Sequence, residues 1–241
     1  PNAVRMQIPM GEEENHEGVI NLLTREAVYF EGELGKDVRF ETEIPEQYKE
    51  DVLKYRNELV EKIVEHDEDQ MNAYLEGEDI PVEDLKKTLR KAVLANEVVP
   101  VYVGTALKNK GVQTLLDGVV DYLPSPIDVP PIKGVNPETE EEETRDASDD
   151  APFAALAFKL QSDPYVGSLT YFRVYSGTIK AGSYVYNTTT GKKERLGRIV
   201  RMHSNHREEV DEVYAGEIAA GVGLKETTTS DTICDEKHPI V

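Results

Sequence analysis

From residue 151 to the end of the chain, short segments of alternating apolar and polar residues are separated by glycines. The run at 169–175 shows the alternation best, and no helical period interrupts the pattern. The glycines at these turn positions are Gly167, Gly177, Gly182, Gly191 and Gly216. Because successive side chains of a strand point to opposite faces, this pattern predicts a small all-β barrel over residues 152–241.

The first part of the chain mixes helical and strand periods. Apolar positions three or four residues apart predict helices over 52–66, 81–96 and 112–123. Residues 4–9 alternate like a strand, and residues 27–41 read as a hairpin around a glycine-containing loop at 32–35. The continuous apolar run at 98–103 predicts a strand that is buried on both faces, as in a parallel sheet.

Between these two parts lies a segment rich in Pro, Asp and Glu, including four consecutive glutamates at 140–143. Such a composition is typical of a solvated linker or a long loop. The predicted organisation is therefore a first part at 1–124, an acidic linker at 125–151 and the barrel at 152–241.

Charge divides the chain in the same way. The net charge is −20, yet residues 1–151 hold 16 Lys and Arg against 36 Asp and Glu, while residues 152–241 hold 11 of each. A uniformly acidic surface would repel nucleic acid, but here the excess acid lies entirely outside the barrel. The asymmetry predicts two units with different partners.

Cysteine and hydropathy indicate the compartment. Cys234 is the only cysteine, so an intrachain disulfide is excluded, which agrees with a reducing cytoplasm. No apolar run approaches the roughly 18 residues of a membrane span, and the N-terminus has no signal-peptide pattern. We therefore expect a soluble cytoplasmic protein without a membrane partner. The start at Pro1 and the abrupt end at Val241 lead us to expect an internal piece of a longer protein.

Three glycine or asparagine motifs imitate nucleotide-binding sequences. Gly177 and Gly182 have the spacing of a phosphate-binding loop, but Ser183 stands where its lysine should follow, so turn residues are the better interpretation. Gly221 could open a dinucleotide fingerprint, yet its third glycine is missing and no helix follows. Asn109, which precedes Lys110, lacks the later aspartate that would read guanine.

Candidate metal ligands and acids are few. His203 and His206 are three residues apart, but no cysteine or third ligand accompanies them. Acidic pairs such as Asp67 and Asp69 could serve acid–base chemistry, although carboxylates on so acidic a surface are usually only solvated. We predict no catalytic residue and no metal site.

A basic cluster stands out in the barrel sequence. It is accompanied by His203, His206 and Arg207, and Glu194 is the acid that interrupts it. Its members are Lys192, Lys193, Arg195, Arg198 and Arg201. They cannot all share one face of a single regular strand, but a bend would let several converge on phosphates. The cluster is thus a candidate RNA-binding surface, and solubilising charge on exposed strands is the alternative.

Several runs carry a resemblance to the elongation factor G family of translational GTPases. Those at 100–113 and 121–126 resemble the end of its GTPase domain. Other runs resemble the second domain of that family, namely those at 154–159, 163–167, 172–177, 202–205 and 222–225. The resemblance covers essentially the whole chain. It implies a multi-domain α+β fold, with an α/β GTPase-domain remnant, an inserted α+β subdomain and an all-β translation-factor barrel, domain II.

On this resemblance, the stretches near 1–9 and 98–124 are the GTPase remnant, and residues of about 10–97 form the inserted subdomain. The residues Gly104, Thr105, Ala106 and Leu107 match the loop whose backbone helps to read the guanine O6, with Thr in place of the family's usual Ser. The parent would use GTP and Mg²⁺. The phosphate loop and the Mg²⁺-contacting motif are absent from the sequence, so this chain alone is expected to be inactive and to hold no cofactor.

The resemblance also implies partners. The parent is expected to drive translocation of transfer RNA and messenger RNA on the ribosome. The barrel would contact small-subunit ribosomal RNA, and the inserted subdomain would contact the ribosomal stalk protein, with the chain a monomer. Two alternatives remain open at this point: a complete RNA-binding or ribosome-associated module, and a ribosome-protection factor built from the same domains.

Overall fold

The computed structural model describes residues 2–163, 167–204 and 206–241, without the side chain of Asp163. Two stretches that carry the resemblance, Pro164–Val166 and Asn205, lie outside the described residues. The chain divides into two compact units, Pro1–Leu123 and Pro124–Val241. The predicted combination of a mixed α/β first part and an all-β second part is confirmed.

In the part of the first unit that the structure describes there are six strands and four α-helices. Its strands are β1 (Ala3–Arg5), β2 (Gln7–Met10), β3 (Gly18–Asn21), β4 (Glu26–Glu31), β5 (Asp37–Glu41) and β6 (Val99–Val101). Its helices are α1 (Lys49–Val64), α2 (Glu68–Leu75), α3 (Val82–Leu94) and α4 (Val112–Tyr122). Strands β2 to β5 form an antiparallel sheet in chain order, whereas β1 pairs in parallel with β6. The run at 4–9, predicted as one strand, is thus divided between two sheets.

One hydrophobic core joins the antiparallel sheet to the helices. Ile8 and Ile20 contribute from the sheet, Ile63 from α1, and Leu85 and Leu89 from α3. Helices α1 and α3 follow the predicted apolar stripes, and both have acids in the first turn and a lysine in the last, which suits the helix dipole. The apolar spacing of the sequence thus identifies the faces that make this core.

The β1–β6 pair departs from the prediction of a strand buried on both faces. Val99 and Val101 are 57% and 43% exposed. The apolar side of α4 is exposed as well, with Val120 at 78% and Leu116 at 58%. The physical reason is that β1 is the only strand paired with β6 among the described residues, so one edge and one face of this small parallel sheet remain open.

The described residues of the second unit form twelve strands: β7 (Ile132–Val135), β8 (Glu142–Arg145), β9 (Ala154–Asp163), β10 (Gly167–Ser176), β11 (Ile179–Lys180), β12 (Tyr184–Asn187), β13 (Lys192–Arg195), β14 (Arg198–His203), β15 (His206–Val210), β16 (Glu212–Val213), β17 (Ile218–Val222) and β18 (Thr232–Cys234). Eight of them form one sheet in the order β13-β12-β18-β9-β10-β17-β14-β15. Residues 196–197 alone connect β13, at one end of this order, to β14 near the other. The sheet therefore curls on itself around the core of Phe172, Val185, Leu196 and Ile233.

The acidic segment contains a hairpin where the sequence predicted a linker or loop. β7 pairs with β8 in antiparallel register from Ile132–Arg145 to Val135–Glu142. The N–H of Val135 also donates to the carbonyl of Val241 at 3.0 Å, and the reverse bond is 2.9 Å. The hairpin escaped prediction because most of its side chains are polar, so the apolar alternation that marks a strand is missing.

Among the described residues, no helix is long and apolar enough to cross a membrane.

Candidate functional site

The guanine-loop candidate, residues 104–107, follows β6 and forms a tight turn. Thr105 N–H donates to the Lys110 carbonyl at 2.8 Å, and Lys110 N–H returns a bond to the Thr105 carbonyl at 3.2 Å. A short 3₁₀ turn, Ala106–Lys108, lies between these bonds. Gly111, the residue just before α4, has a φ of 83°, and a Cβ there would stand 2.6 Å from the Val103 carbonyl. Only glycine allows so close a crossing of the two chain segments.

Three side chains fasten the far end of this turn to the antiparallel-sheet part of the first unit. Asn109 Nδ2 donates to the Leu34 carbonyl at 2.9 Å, and Gln113 Nε2 donates to the Gly35 carbonyl at 2.8 Å. Lys110 Nζ donates to the carbonyl of His16 at 2.7 Å. Asn109 and Lys110 therefore have structural roles, in agreement with the rejection of a guanine-reading motif there.

The near end of the turn leaves backbone donors available. Among the described residues, the N–H groups of Ala106 and Leu107 donate to no acceptor, as expected for the first positions of a helical turn. The side chain of Leu107 is 92% exposed. Among the described residues, the turn thus leaves two backbone N–H groups without an acceptor, and such groups can bind a carbonyl or another acceptor.

The basic cluster is distributed over two consecutive strands. Lys192, Lys193 and Arg195 lie on β13, and Arg198 and Arg201 lie on β14. On β13 the alternation places Lys193 and Arg195 on the face opposite to Glu194. All five basic side chains are at least partly exposed. The cluster therefore does not lie on one regular strand, because a bend at residues 196–197 separates its members on β13 from those on β14.

Carboxylates that are distant in sequence neutralise most of the cluster. Lys192 Nζ is 2.8 Å from Glu226, and Lys193 pairs with Glu236. Arg198 is 3.0 Å from Glu209, and Arg201 is 2.7 Å from Glu217. The hydrogen bond from Lys192 holds the pKa of the Glu226 carboxyl below its usual range. Exposed pairs of this kind are weak, so they can open when a phosphate competes.

Arg195 differs from the other four. Its Nε donates to the carbonyl of Gly182 at a long 3.4 Å, and no ion pair to it is found in the described part of the chain. Its guanidinium group is therefore the member of the cluster whose charge is least compensated.

Glu194, the acid inside the cluster, faces inward. It is 8% exposed and accepts hydrogen bonds from the N–H groups of Lys225 at 2.6 Å and Glu226 at 2.8 Å, and from the Thr227 hydroxyl. Its role is to fix the loop after β17. The sequence placed Glu194 in the cluster, and nothing local in the sequence signals this inward orientation.

A second buried carboxylate, Asp231, was not singled out by the sequence. It is 4% exposed and accepts from Thr228 N–H at 2.7 Å and from Asn187 Nδ2 at 2.9 Å. Burial raises the pKa of Asp231, but these hydrogen bonds outweigh it and the pKa lies below its usual range. The Asp-to-Thr spacing of three residues is a turn signal that could have revealed part of this network.

The remaining candidates, two aspartates and two histidines, lie at a helix start and on a strand pair. Asp67 caps α2 by accepting from Gln70 N–H at 3.1 Å, and Asp69 lies in the first turn of that helix. His203 and His206 face each other across the β14–β15 pair, and His203 Nε2 is 3.4 Å from Glu208. No group of three or more potential metal ligands occurs among the described residues.

The glycines of the false phosphate loop lie at turns. Gly177 and Gly182 flank the short strand β11 with φ values of 70° and 84°. Gly221 is inside β17, and the chain turns immediately after it at Gly223. These positions agree with the turn and strand interpretation of the sequence.

Comparison with known proteins assigns the barrel to a class. Residues 167–234 match the family model described as elongation factor Tu domain 2. This range runs from β10 to β18 and includes the basic cluster, Glu194 and Asp231. The second unit therefore carries a domain of the kind found in translation factors.

The whole chain also resembles a solved protein. A crystal structure of a protein from Thermus thermophilus is 27% identical in sequence, with a TM-score of 0.74 over 99% of this chain. The match takes up 32% of that protein, so the chain spans about a third of its length. Both units, and not the barrel alone, thus have a counterpart in one larger protein.

Proposed function

We propose that this chain is part of a ribosome-associated translational GTPase of the elongation factor G type, supplying docking surfaces rather than the hydrolytic centre. The observation that carries the proposal is the elongation factor Tu domain 2 match in the barrel, combined with a likeness that extends over the first unit. In this account the parent protein uses GTP and Mg²⁺ to drive translocation in the cytoplasm.

The barrel is the proposed RNA-facing part. Its Lys and Arg side chains project from β13 and β14, and their carboxylate partners are exposed and able to exchange. Cationic side chains gain affinity for RNA by displacing counterions from phosphates, which makes the binding sensitive to salt. Small-subunit ribosomal RNA is the proposed partner of this face.

The first unit is proposed to be the end of a GTPase domain together with its inserted subdomain. The parallel β1–β6 pair, the turn at 104–107 and α4 form a strand, loop and helix whose apolar side is left exposed. Further strands and helices of a GTPase domain would bury that side. The free N–H groups of Ala106 and Leu107 would then face the guanine base.

The inserted subdomain is proposed to contact the stalk protein through its acidic helices. On α1 the exposed side chains include Glu50, Glu58 and Glu61, and Leu53 is 65% exposed among them. A helix that exposes a leucine and several acids suits a partner that offers an apolar contact and basic groups. This surface is separate from the sheet face that packs on α1.

Hydrolysis by this chain alone is not expected, because phosphoryl transfer depends on groups that position the phosphates, the metal and the attacking water. The loop at 104–107 would supply only base contacts. We therefore expect no measurable affinity for GDP by isothermal titration calorimetry. Micromolar binding would show that the chain carries a complete nucleotide site and would overturn this part of the proposal.

Co-sedimentation of the chain with ribosomes at several salt concentrations tests the docking role. We expect binding at low salt whose logarithm falls linearly with the logarithm of the salt concentration. Replacing Lys192, Lys193, Arg195 and Arg198 by alanine should weaken binding and flatten that slope. A matched control replaces Lys36, Lys49, Lys62 and Lys87, exposed lysines of the first unit that each pair with an acid three residues away.

The outcomes separate the possibilities. An unchanged slope in the barrel variant, or an equal loss in the control, would show that the basic cluster only solubilises the protein. No binding by the wild-type chain at low salt would contradict the proposal that these two units dock by themselves.

A further inference from the structure

We propose that the exposed ring of Tyr184 stacks on an unpaired base of RNA, next to Lys193 and Arg195 of the basic cluster. This inference rests on the RNA-facing role proposed for the barrel. It goes further because it assigns a base contact and selects single-stranded over double-stranded RNA. The side chain of Tyr184 is 61% exposed. Tyr184 begins β12, which pairs with the strand that carries Lys193 and Arg195.

The register of β12 and β13 brings the three side chains together. Tyr184 lies directly opposite Arg195, and Tyr186 lies opposite Lys193. Directly opposite residues of an antiparallel pair have Cβ atoms about 4.5–5.5 Å apart. Lys193 Nζ also lies 5.7 Å from the centre of the Tyr184 ring, within the roughly 6 Å range of a cation–π contact. One ring thus has a cation opposite it and a second cation diagonal to it.

This face of the two strands points away from the barrel core. The pair that follows Tyr184 and Arg195 in the register is Val185 and Glu194, which are 1% and 8% exposed, and Val185 belongs to the core. Because side chains alternate along a strand, Tyr184, Lys193 and Arg195 lie on the other face. All three are exposed. The ring is therefore presented to solvent beside the cations.

The two cations differ in how firmly they are held. Arg195 forms no ion pair within the described residues, and its Nε donates to the Gly182 carbonyl at 3.4 Å. Lys193 pairs with Glu236, and both side chains of this pair are about half exposed. Such a pair is weak, so a phosphate can replace the glutamate. The phosphates on either side of a stacked base therefore have cations available to them.

An exposed aromatic ring between cations favours an unpaired base as the occupant. Every base has a flat face that stacks on an aromatic side chain, while the flanking phosphates pair with nearby cations. In double-stranded RNA the bases are already stacked on each other, and the deep, narrow major groove keeps side chains away from them. A duplex would use the cations of this surface but not the ring.

The fluorescence of a single introduced tryptophan tests the stack directly. The sequence contains no tryptophan, so Tyr184→Trp in the whole chain carries the only indole. A short single-stranded RNA of mixed sequence should quench its emission to saturation, and a duplex of the same length should leave the emission nearly unchanged. Tyr214→Trp is the matched control, because Tyr214 is 44% exposed and hydrogen-bonded to the acids Glu212 and Glu217.

The outcomes of this titration are distinct. Saturating quenching of Tyr184→Trp by the single strand, without quenching of Tyr214→Trp, supports the stack. Equal quenching by the duplex, equal quenching of both tryptophans, or no quenching would overturn it.

Substitutions separate stacking from charge. Tyr184→Leu removes the ring and should weaken the binding of single-stranded RNA by about fivefold or more without changing its salt dependence. Tyr184→Phe keeps the ring and should bind like the wild type. Arg195→Gln should weaken binding and flatten the salt dependence. Glu236→Gln releases Lys193 from its carboxylate and should tighten binding.

These variants also distinguish the stack from the docking role on which it rests. Wild-type binding by Tyr184→Leu, together with weaker binding by Arg195→Gln, would show that the face contacts phosphates alone; the stack would then be wrong and the docking role would stand. If neither variant changes binding, or if polyglutamate binds as tightly as the RNA, both proposals fail. Thermal unfolding checks that Tyr184→Leu is folded, and if it is not, the tryptophan titration decides.

Discussion

The two units bury their apolar surface in different ways. In the second unit an eight-stranded sheet curls around Phe172, Leu196 and Ile233, each of which is completely buried. In the first unit the antiparallel sheet and α1 to α3 enclose a similar core, but β6 and α4 expose apolar side chains on one side. A barrel can close on itself, whereas a parallel sheet needs further strands and helices to cover it. The difference indicates a self-sufficient second unit and an open side on the first.

The largest expected effect lies in the barrel core. Phe172→Ala should destabilise the second unit by about 3–5 kcal/mol, since it removes a completely buried ring and leaves a cavity. Phe158→Ala is the matched control, because Phe158 lies on the neighbouring strand and is 41% exposed; it should cost about 1 kcal/mol or less. Urea unfolding measures both. Equal losses would show that the barrel core does not carry the stability of this unit.

The next largest loss of stability is expected from replacing Asp231, a buried carboxylate of the barrel. Asp231→Asn should cost about 1–3 kcal/mol near neutral pH, because it replaces an acceptor of several hydrogen bonds by a group that is partly a donor. Since the folded pKa of Asp231 is lowered, its contribution is complete above the unfolded pKa of about 3.9 and is lost as pH falls through the folded value.

Urea unfolding of wild type and Asp231→Asn across pH 2–7 checks this sign. The two stability curves should converge towards the acidic end. Asp235→Asn, a more exposed aspartate in the same segment, should change little at any pH. A gap for Asp231→Asn that widens on acidification would contradict the assigned direction.

A smaller loss of stability is expected when the turn at 104–113 loses one of its hydrogen bonds to the antiparallel-sheet part of the first unit. Gln113→Ala removes the bond to the Gly35 carbonyl and should cost about 0.5–1.5 kcal/mol. It should also speed hydrogen exchange at Thr105 and Lys110, whose amides close the turn. Gln47→Ala, at an exposed position of a 3₁₀ turn, is the control. Unchanged exchange in Gln113→Ala would show that the turn holds its shape without this brace.

The smallest effect is expected on the exposed side of α4. Val120→Ala should change the stability of the first unit by no more than about 0.5 kcal/mol, because Val120 is 78% exposed. Leu89→Ala on α3, which is completely buried, should cost about 2–5 kcal/mol. Thermal and urea unfolding measure the pair. A cost for Val120→Ala that approaches the Leu89 value would mean that this side of α4 is already covered in the chain.

Local pattern was sufficient for much of the fold. The helices α1, α3 and α4 follow from apolar spacing, and the β4–β5 hairpin and the barrel strands follow from alternation and turn glycines. The β7–β8 hairpin and the short helix α2 were missed, because polar sequences carry no periodic apolar signal. The exposure of β6 was predicted wrongly, since an apolar run shows which residues favour burial and not which partner covers them.

The candidate sites show a second limit. The sequence identified the residue types of these sites but not their partners. The carboxylates that neutralise Lys192 and Lys193 belong to Glu226 and Glu236, more than 30 positions away. Likewise, the bonds that hold Asn109 and Gln113 reach back to residues 34 and 35. Pairings over such distances depend on the strand order, which the periodicity of one segment does not reveal.

Native-state hydrogen exchange of the whole chain tests the contrast between the units most directly. We expect amides of β9, β10 and β17, inside the curled sheet, to exchange only by global unfolding of the second unit. Amides of α4 and β6 should exchange through local opening at a much lower free energy, because one side of these elements is uncovered. Protection of α4 and β6 equal to that of the barrel strands would contradict the account and show that the first unit is as complete as the second.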